Sequence, residues 1–277
     1  MPLKLTRKAP GWEGALVAGN TLTLRCPIGL TYHQIYITYD FEDGGVDVLL
    51  ANAVSEIRLM LNGKPTRTIR ASELDTINQF LGRAQASGIL TIDLDRYNLR
   101  TRTGEEFTSL GTGFAGDPTP LTTLTVEIDL TPASGVDGGT ISSHFRLSDS
   151  RPLGLFIKQR RFVDAIAGSG TFEKRDYPKG DLINAAYFFE SANDIDRLEL
   201  LRDDFVMFDR TKELNSKIQT DGMRVPQANL FVYDTCEDGN GSDQLVTRGV
   251  NDMLWRFTVD GAMTLTTIME YIGALEQ

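Results

Sequence analysis

Arg70-Ala71-Ser72-Glu73-Leu74 returns as Arg210-Thr211-Lys212-Glu213-Leu214, and the strand-like Leu90-Thr91-Ile92 returns as Leu230-Phe231-Val232, both 140 positions on. A self-match at long period outranks any single motif, because a repeat that is missed misassigns the whole fold. Its order extends in both directions. Pro27-Ile28-Gly29 finds a counterpart in Pro178-Lys179-Gly180, and Leu121-Thr122-Thr123 in Leu265-Thr266-Thr267. The Asn62-Gly63 turn finds its counterpart in Asp203-Asp204. The chain reads as two tandem related domains. Residues 1–150 form the first with an N-terminal arm, and 151–277 form a linker and the second. The linker is placed at Ser148 to Gly170, on its turn residues, its basic apolar stretch Phe156–Val163 and its Gly168-Ser169-Gly170.

Strand signals fill both units. Thr21–Cys26, Gln34–Tyr39, Ile57–Leu61, Thr66–Ile69, Ile89–Leu94, Leu121–Leu130 and Thr140–Phe145 alternate apolar residues or bunch β-branched ones, as half-buried strands do. The second unit offers Ile183–Phe189, Leu198–Leu201, Phe205–Phe208, Leu230–Tyr233, Leu254–Val259 and Thr264–Ile272. Asn62-Gly63 between two such runs predicts a two-residue hairpin turn, since both residues tolerate positive φ. One capped helix is predicted in each unit, the first with Ser72 as N-cap and the second over Thr211–Ile218. About eight short strands and one helix per unit predict an all-β chain of two tandem eight-stranded jelly rolls.

The 277 residues are 41% hydrophobic and 24% charged, enough for a real core and too apolar for disorder. A formal charge of −10 argues against a broad grip on nucleic acid. No run approaches the roughly 18 apolar residues of a spanning helix, and no signal-peptide stretch opens the chain. Cys26 and Cys236 are the only cysteines and match no CxxC pattern, so two reduced, packed thiols are expected in a reducing cytoplasm.

Motifs for chemistry fail on context. Gly111-Thr112-Gly113-Phe114-Ala115-Gly116 satisfies GxGxxG, yet Pro118 and Pro120 follow where a dinucleotide site needs a helix. His33 and His144 are the only histidines and lack metal-ligand or nucleophile spacing. They are expected to lie far apart, with no catalytic constellation around either. A histidine bonded to a serine in a cleft, its other nitrogen held by a carboxylate, would point back to an enzyme. No catalytic, cofactor-binding or metal residues are therefore assigned. The acidic loops Asp40–Asp47 and Glu237–Asp243 carry oxygens that calcium prefers, without EF-hand spacing, so at most a structural Ca2+ is expected. The cations Lys4, Arg7 and Lys8, with Lys158, Arg160 and Arg161, are expected to gather at one end, where they could face anionic lipid.

Val17-Ala18-Gly19-Asn20-Thr21, Pro27-Ile28-Gly29-Leu30-Thr31-Tyr32, Ile57–Lys64 and the closing Ile268-Met269-Glu270-Tyr271-Ile272-Gly273 resemble the major capsid proteins of corticovirus-type, membrane-containing bacteriophages, of the adenovirus-hexon-like lineage. The resemblance implies a double jelly roll without an active site, located in the virion and assembled in the host cytoplasm. It further implies homotrimers presenting six sandwiches that contact neighbouring capsomers and vertex or minor capsid proteins. Those trimers would tile an icosahedral shell over an internal viral membrane, with no sequence-specific nucleic acid contact. The alternative is a tandem jelly-roll carbohydrate-binding protein or glycosidase accessory module, which would need exposed aromatic platforms. Trp12 and Trp255 are the only tryptophans, and Trp255 has core-like neighbours.

Overall fold

The two tight turns fold alike. Asn62 and Gly63 have φ of 50° and 74°, and Asp203 and Asp204 have 48° and 67°. Both central residues of each are thus left-handed, the backbone that joins two right-twisted strands with least splay.

The computed structural model describes residues 3–113, 121–192 and 194–275. Pro118, Pro120 and the Phe114–Gly116 end of the glycine motif lie outside the described residues. The first half runs β1 (Leu5–Lys8), β2 (Thr21–Cys26), β3 (Thr31–Asp43), β4 (Val46–Asp47), α1 (Leu50–Ala53), β5 (Val54–Leu61) and β6 (Lys64–Ile69). It continues with α2 (Ala71–Phe80), β7 (Ile89–Asp93), α3 (Arg102–Glu106), β8 (Leu110–Gly111), β9 (Leu124–Leu130) and β10 (Gly138–Ser148). The second half runs β11 (Phe156–Ile166), β12 (Gly170–Lys174), β13 (Leu182–Glu190), β14 (Ile195–Arg202) and β15 (Phe205–Thr211). After it come α4 (Lys212–Asp221), β16 (Leu230–Asp234), β17 (Leu245–Val246), β18 (Met253–Val259) and β19 (Met263–Gly273).

With the two-residue strands β4, β8 and β17 set aside, each half has eight strands in one topology. The first half pairs β1-β10-β3-β7 in one sheet and β2-β9-β5-β6 in the other. The second pairs β11-β19-β13-β16 and β12-β18-β14-β15. In both, the strand order is first, eighth, third, sixth against second, seventh, fourth, fifth, and the helix joins fifth to sixth. This is the jelly-roll winding twice over.

The frame of the repeat is 141, not 140. Asn78 on α2 donates its amide N–H to Thr91 O at 2.8 Å, and Gln219 on α4 donates to Val232 O at 2.9 Å. Arg83 then pairs with Asp93 (2.8 Å) and Arg224 with Asp234 (2.6 Å). Each partner lies 141 positions from its counterpart. Glu73 is thus equivalent to Leu214 and Leu90 to Phe231, so the matching letters of the sequence sit one step out of structural register. The caps differ accordingly. Arg70, not Ser72, is the N-cap of α2, its N–H donating to Glu73 Oε2 at 3.1 Å, whereas Thr211 Oγ1 accepts from the Leu214 N–H at 3.3 Å.

Phe156–Ile166, read from sequence as linker, is a full strand, β11. It pairs with β19 along its whole length and packs on β6 of the first half. The central strand β13 of that sheet is buried on both faces, which explains its apolar run Ala185–Phe189. Ile183, Ala186 and Phe188 enter the core of the second sandwich with Trp255 and Phe257, while Ala185 and Tyr187 join the core of the first.

On the sheet of β2, β5, β6 and β9, Arg58 reaches Glu127 at 3.1 Å and Glu56 at 2.8 Å, and bonds Asp129. Burial alone would raise the Asp129 carboxyl, but hydrogen bonds from Arg58 and Thr21 outweigh it and hold the group below its ordinary 3.8. A depressed carboxylate contributes stability above its unfolded pKa and loses it as pH falls through the folded one. Arg58→Ala is expected to cost about 1 kcal/mol at pH 7. In urea midpoints the gap from the wild type should shrink below pH 4; an equal gap at pH 7 and pH 3 contradicts it.

Candidate functional site

Three regions could carry function: a buried polar cluster in the first sandwich, the seam between sandwiches, and the bare strand edge of the second. In the first, His33 on β3 meets two partners from distant parts of the chain. Its Nδ1 lies 2.8 Å from Asp95, just after β7, and its Nε2 lies 2.7 Å from Ser148 Oγ at the end of β10. With Nδ1–H donating to the carboxylate, Nε2 accepts from the serine hydroxyl, the hydrogen-bond order of a serine hydrolase. Lys4 donates to Asp95 at 3.0 Å and lies 3.2 Å from Glu106. Sequence reading did not foresee that His33, Asp95 and Ser148 meet, because they come from distant parts of the chain. His144 is on β10, opposite Tyr36 of the adjacent β3.

The cluster lacks what a nucleophile needs. His33 is 1% exposed, Asp95 4% and Ser148 6%, so a substrate carbonyl has no approach. Ser148 pairs with Thr31 within the ladder instead of standing on a strained turn. What the arrangement does is stitch the N-terminal arm, the segment after β7 and strands β3 and β10 into one buried network.

The remaining sequence candidates are placed as follows. Cys26 and Cys236 are buried and free, and burial pushes the Cys26 thiol up to about 12, which keeps it protonated and inert. The Asp40–Asp47 loop is the β3–β4 hairpin, with Gly44 and Gly45 at its tip. In the other loop, Glu237 binds Arg210 through both oxygens (2.7 and 2.8 Å), and Asp238 Oδ1 accepts from the Asn240 N–H. Among the described residues, no group of three metal-capable side chains converges. No helix among them is long and apolar enough to cross a membrane.

The basic residues do not form one bare patch. Lys4 is taken up by Asp95 and Glu106, Lys158 by Asp181 (2.8 Å), and Arg161 turns to Glu73 of α2 (3.0 Å). Trp255 is fully buried, and Trp12 packs against the first core with its indole N–H on Ser143 Oγ at 3.1 Å. Neither is a platform for a sugar.

The seam combines apolar packing with buried polar groups. Arg67 on β6 donates to Ile157 O (3.1 Å) and Asp93 O (2.6 Å). Near it Glu270 accepts from Gln159 (3.1 Å) and Asn184 (2.7 Å). Arg96 adds a bond to Gly241 O at 2.6 Å, and Asn98 one to Met223 O at 3.1 Å. At the opposite edge, β15 is bare, with Phe205 75% exposed, Val206 58% and Met207 44%.

Two tandem jelly rolls with a sealed interior and an apolar outer edge describe a building block, and comparison with known families agrees along nearly the whole chain. Residues 6–144 match the family described as viral coat protein P2 N-terminal domain, and residues 156–275 match viral coat protein P2 C-terminal domain. The chain belongs to the P2 viral coat protein family. The major capsid protein P2 of bacteriophage PM2 has the same fold, with a TM-score of 0.86 at 20% identity over 99% of both chains. The STIV major capsid protein follows at 0.68 and 13% identity, covering 98% of this chain and 97% of its own. The PBCV-1 virus capsid gives 0.60 at 9% identity, covering 98% and 94%. No curated protein matches by sequence. This P2-family chain is thus a double jelly-roll coat protein of the virion, structural and not enzymatic. The carbohydrate-binding alternative finds no support.

Proposed function

We propose that three copies of this coat protein close into a ring of six sandwiches. Such rings would tile an icosahedral shell with neighbouring capsomers and vertex or minor capsid proteins, assembled in the host cytoplasm over an internal membrane. One observation carries the reading. Inside the chain, β6 of the first sandwich is covered by β11 of the second, whereas β15, the equivalent of β6, is bare. The equivalent of β11 is β1, exposed along its length. Repeating the internal contact brings β1 of a second copy over β15, and a heterologous contact closes a ring where its rotation divides a full turn, as three copies would make it do.

Light scattering on the purified chain is expected to give three times the chain mass. Phe205→Asp combined with Met207→Asp should weaken trimers by about 2 kcal/mol or more per interface while leaving the far-UV circular dichroism unchanged, since both side chains are exposed in the single chain. A wild type that is monomeric at micromolar concentration overturns the reading.

A further inference from the structure

The sheets β11-β19-β13-β16 and β1-β10-β3-β7 carry one equivalent row of residues. In the second half Arg161, Ile268, Tyr187 and Val232 pair side by side across the sheet, and in the first Lys8, His144, Tyr36 and Thr91 do the same. Two marks fix the level. The Thr91 and Val232 carbonyls accept from the amides of Asn78 and Gln219. Tyr36 and Tyr187 each lie seven positions beyond a glycine, Gly29 or Gly180, whose N–H donates to a threonine Oγ1 at 2.7 Å.

The row of the second half is covered by α2. Ile268, Tyr187 and Val232 are buried in the core of the first sandwich, with the Tyr187 ring 6.1 Å from that of Phe80 on this helix. Arg161 reaches Glu73, in the first turn of the same helix, at 3.0 Å. In the row of the first half Lys8 is exposed, and His144 and Tyr36 are partly so. The helix equivalent to α2 is α4, and its matching point is bare. Leu214 stands where α2 has Glu73 and is 49% exposed, with Glu213 exposed beside it.

The charges of the two bare surfaces are opposite. Lys8 makes no ion pair among the described residues, and neither does Glu213. Asp196 and Asp260 lie close to Glu213. Burial and these neighbouring charges hold the Asp196 carboxyl above its ordinary 3.8, as happens where acids crowd without enough cation. Lys212, whose charge offsets them, is itself taken up by Glu190 at 2.5 Å.

We propose that the β1-β10-β3-β7 face of one copy is covered by α4 of the next, with the Lys8 ammonium paired to Glu213 and its stem laid over Leu214. This pairing rests on the ring proposed for the chain and names the surfaces that meet in it. It repeats between copies what Arg161 and Glu73 do within one. The carboxylate stands one residue earlier on α4 than on α2, an offset that the flexible four-carbon stem of lysine accommodates where a rigid fork does not.

The test is a charge swap in the full chain, read by analytical ultracentrifugation at low salt. Lys8→Glu and Glu213→Lys should each weaken the association by about tenfold or more, and the chain carrying both should recover most of the loss, since every contact regains an opposite pair. Lys8→Met, which keeps a stem and removes the charge, should make the association less sensitive to sodium chloride than it is in the wild type. Both side chains are exposed in the single chain, so the far-UV circular dichroism of every variant should match the wild type. Wild-type trimers that tolerate both single reversals, or a double variant as weak as the two losses added, overturn the pair and leave the ring standing. A wild-type chain that does not associate removes the ring, and the pair with it.

Discussion

Arg67→Met is expected to lower the stability of the chain by about 3 kcal/mol or more, because it strands a buried carboxylate at the seam. Arg67 is 5% exposed and Glu270 7%. Burial pushes the Glu270 carboxyl up, and the Arg67 charge and the amides of Gln159 and Asn184 pull it back. Without the guanidinium, Ile157 O and Asp93 O lose their donor, and Glu270 keeps its desolvation with only the two amides to offset it. The pH dependence has a definite sign. A group whose folded pKa is raised contributes stability that is full below its unfolded pKa, ordinarily 4.5 here, and is lost as pH rises through the folded value. Arg67→Met should therefore be more damaging at pH 8 than at pH 5, and adding Glu270→Gln should recover part of the loss at pH 8. Urea unfolding of the wild type and the two variants at both pH values is the measurement. A loss independent of pH, or unaltered by the second substitution, means that the seam does not depend on this charge balance.

Trp255→Ala is expected to cost about 3–5 kcal/mol, the range for emptying an aromatic site in a core that cannot collapse. Trp255 has no exposure, and its ring lies 5.5 Å from those of Phe188 and Tyr233 and 6.0 Å from that of Tyr177. The instructive comparison is Trp255→Phe. The indole N–H has no hydrogen-bond partner among the described residues, so phenylalanine removes volume and an unsatisfied donor together. That substitution should cost below about 1.5 kcal/mol. Urea midpoints decide, and a Phe variant as damaged as the Ala variant would mean that the N–H is satisfied in solution.

The winding of both sandwiches was legible because strands buried on one face alternate and tight turns demand particular residues. Thr21–Cys26 is a strand over its full length, and the two turns folded as a pair. Side chains that act across the fold were not legible. The one-residue error in the repeat arose from matching identical letters, whereas the frame is set by Asn78 and Gln219, which do the same work with different residues. β11 passed for a linker because its cations suggested solvent, yet Lys158 and Arg161 are paired with Asp181 and with Glu73 from the other half. The link from His33 to Ser148 spans 115 positions and leaves no local trace.

The connection from β3 to β5 has a use beyond the shell. In the first sandwich it spans Gly44 to Ala53 with the added β4 and α1, while in the second β13 passes to β14 between Glu190 and Ile195. The same winding therefore closes with a short link, and the hairpin tip at Gly44 and Gly45 is surplus to it. Val46 and Leu49 beside the tip are 68% and 73% exposed, so nothing among the described residues packs over them. A foreign peptide spliced between the two glycines would leave both cores untouched. Each copy would then carry the insert once, which makes this hairpin a place where a reporter peptide can be added to the chain without repacking either sandwich.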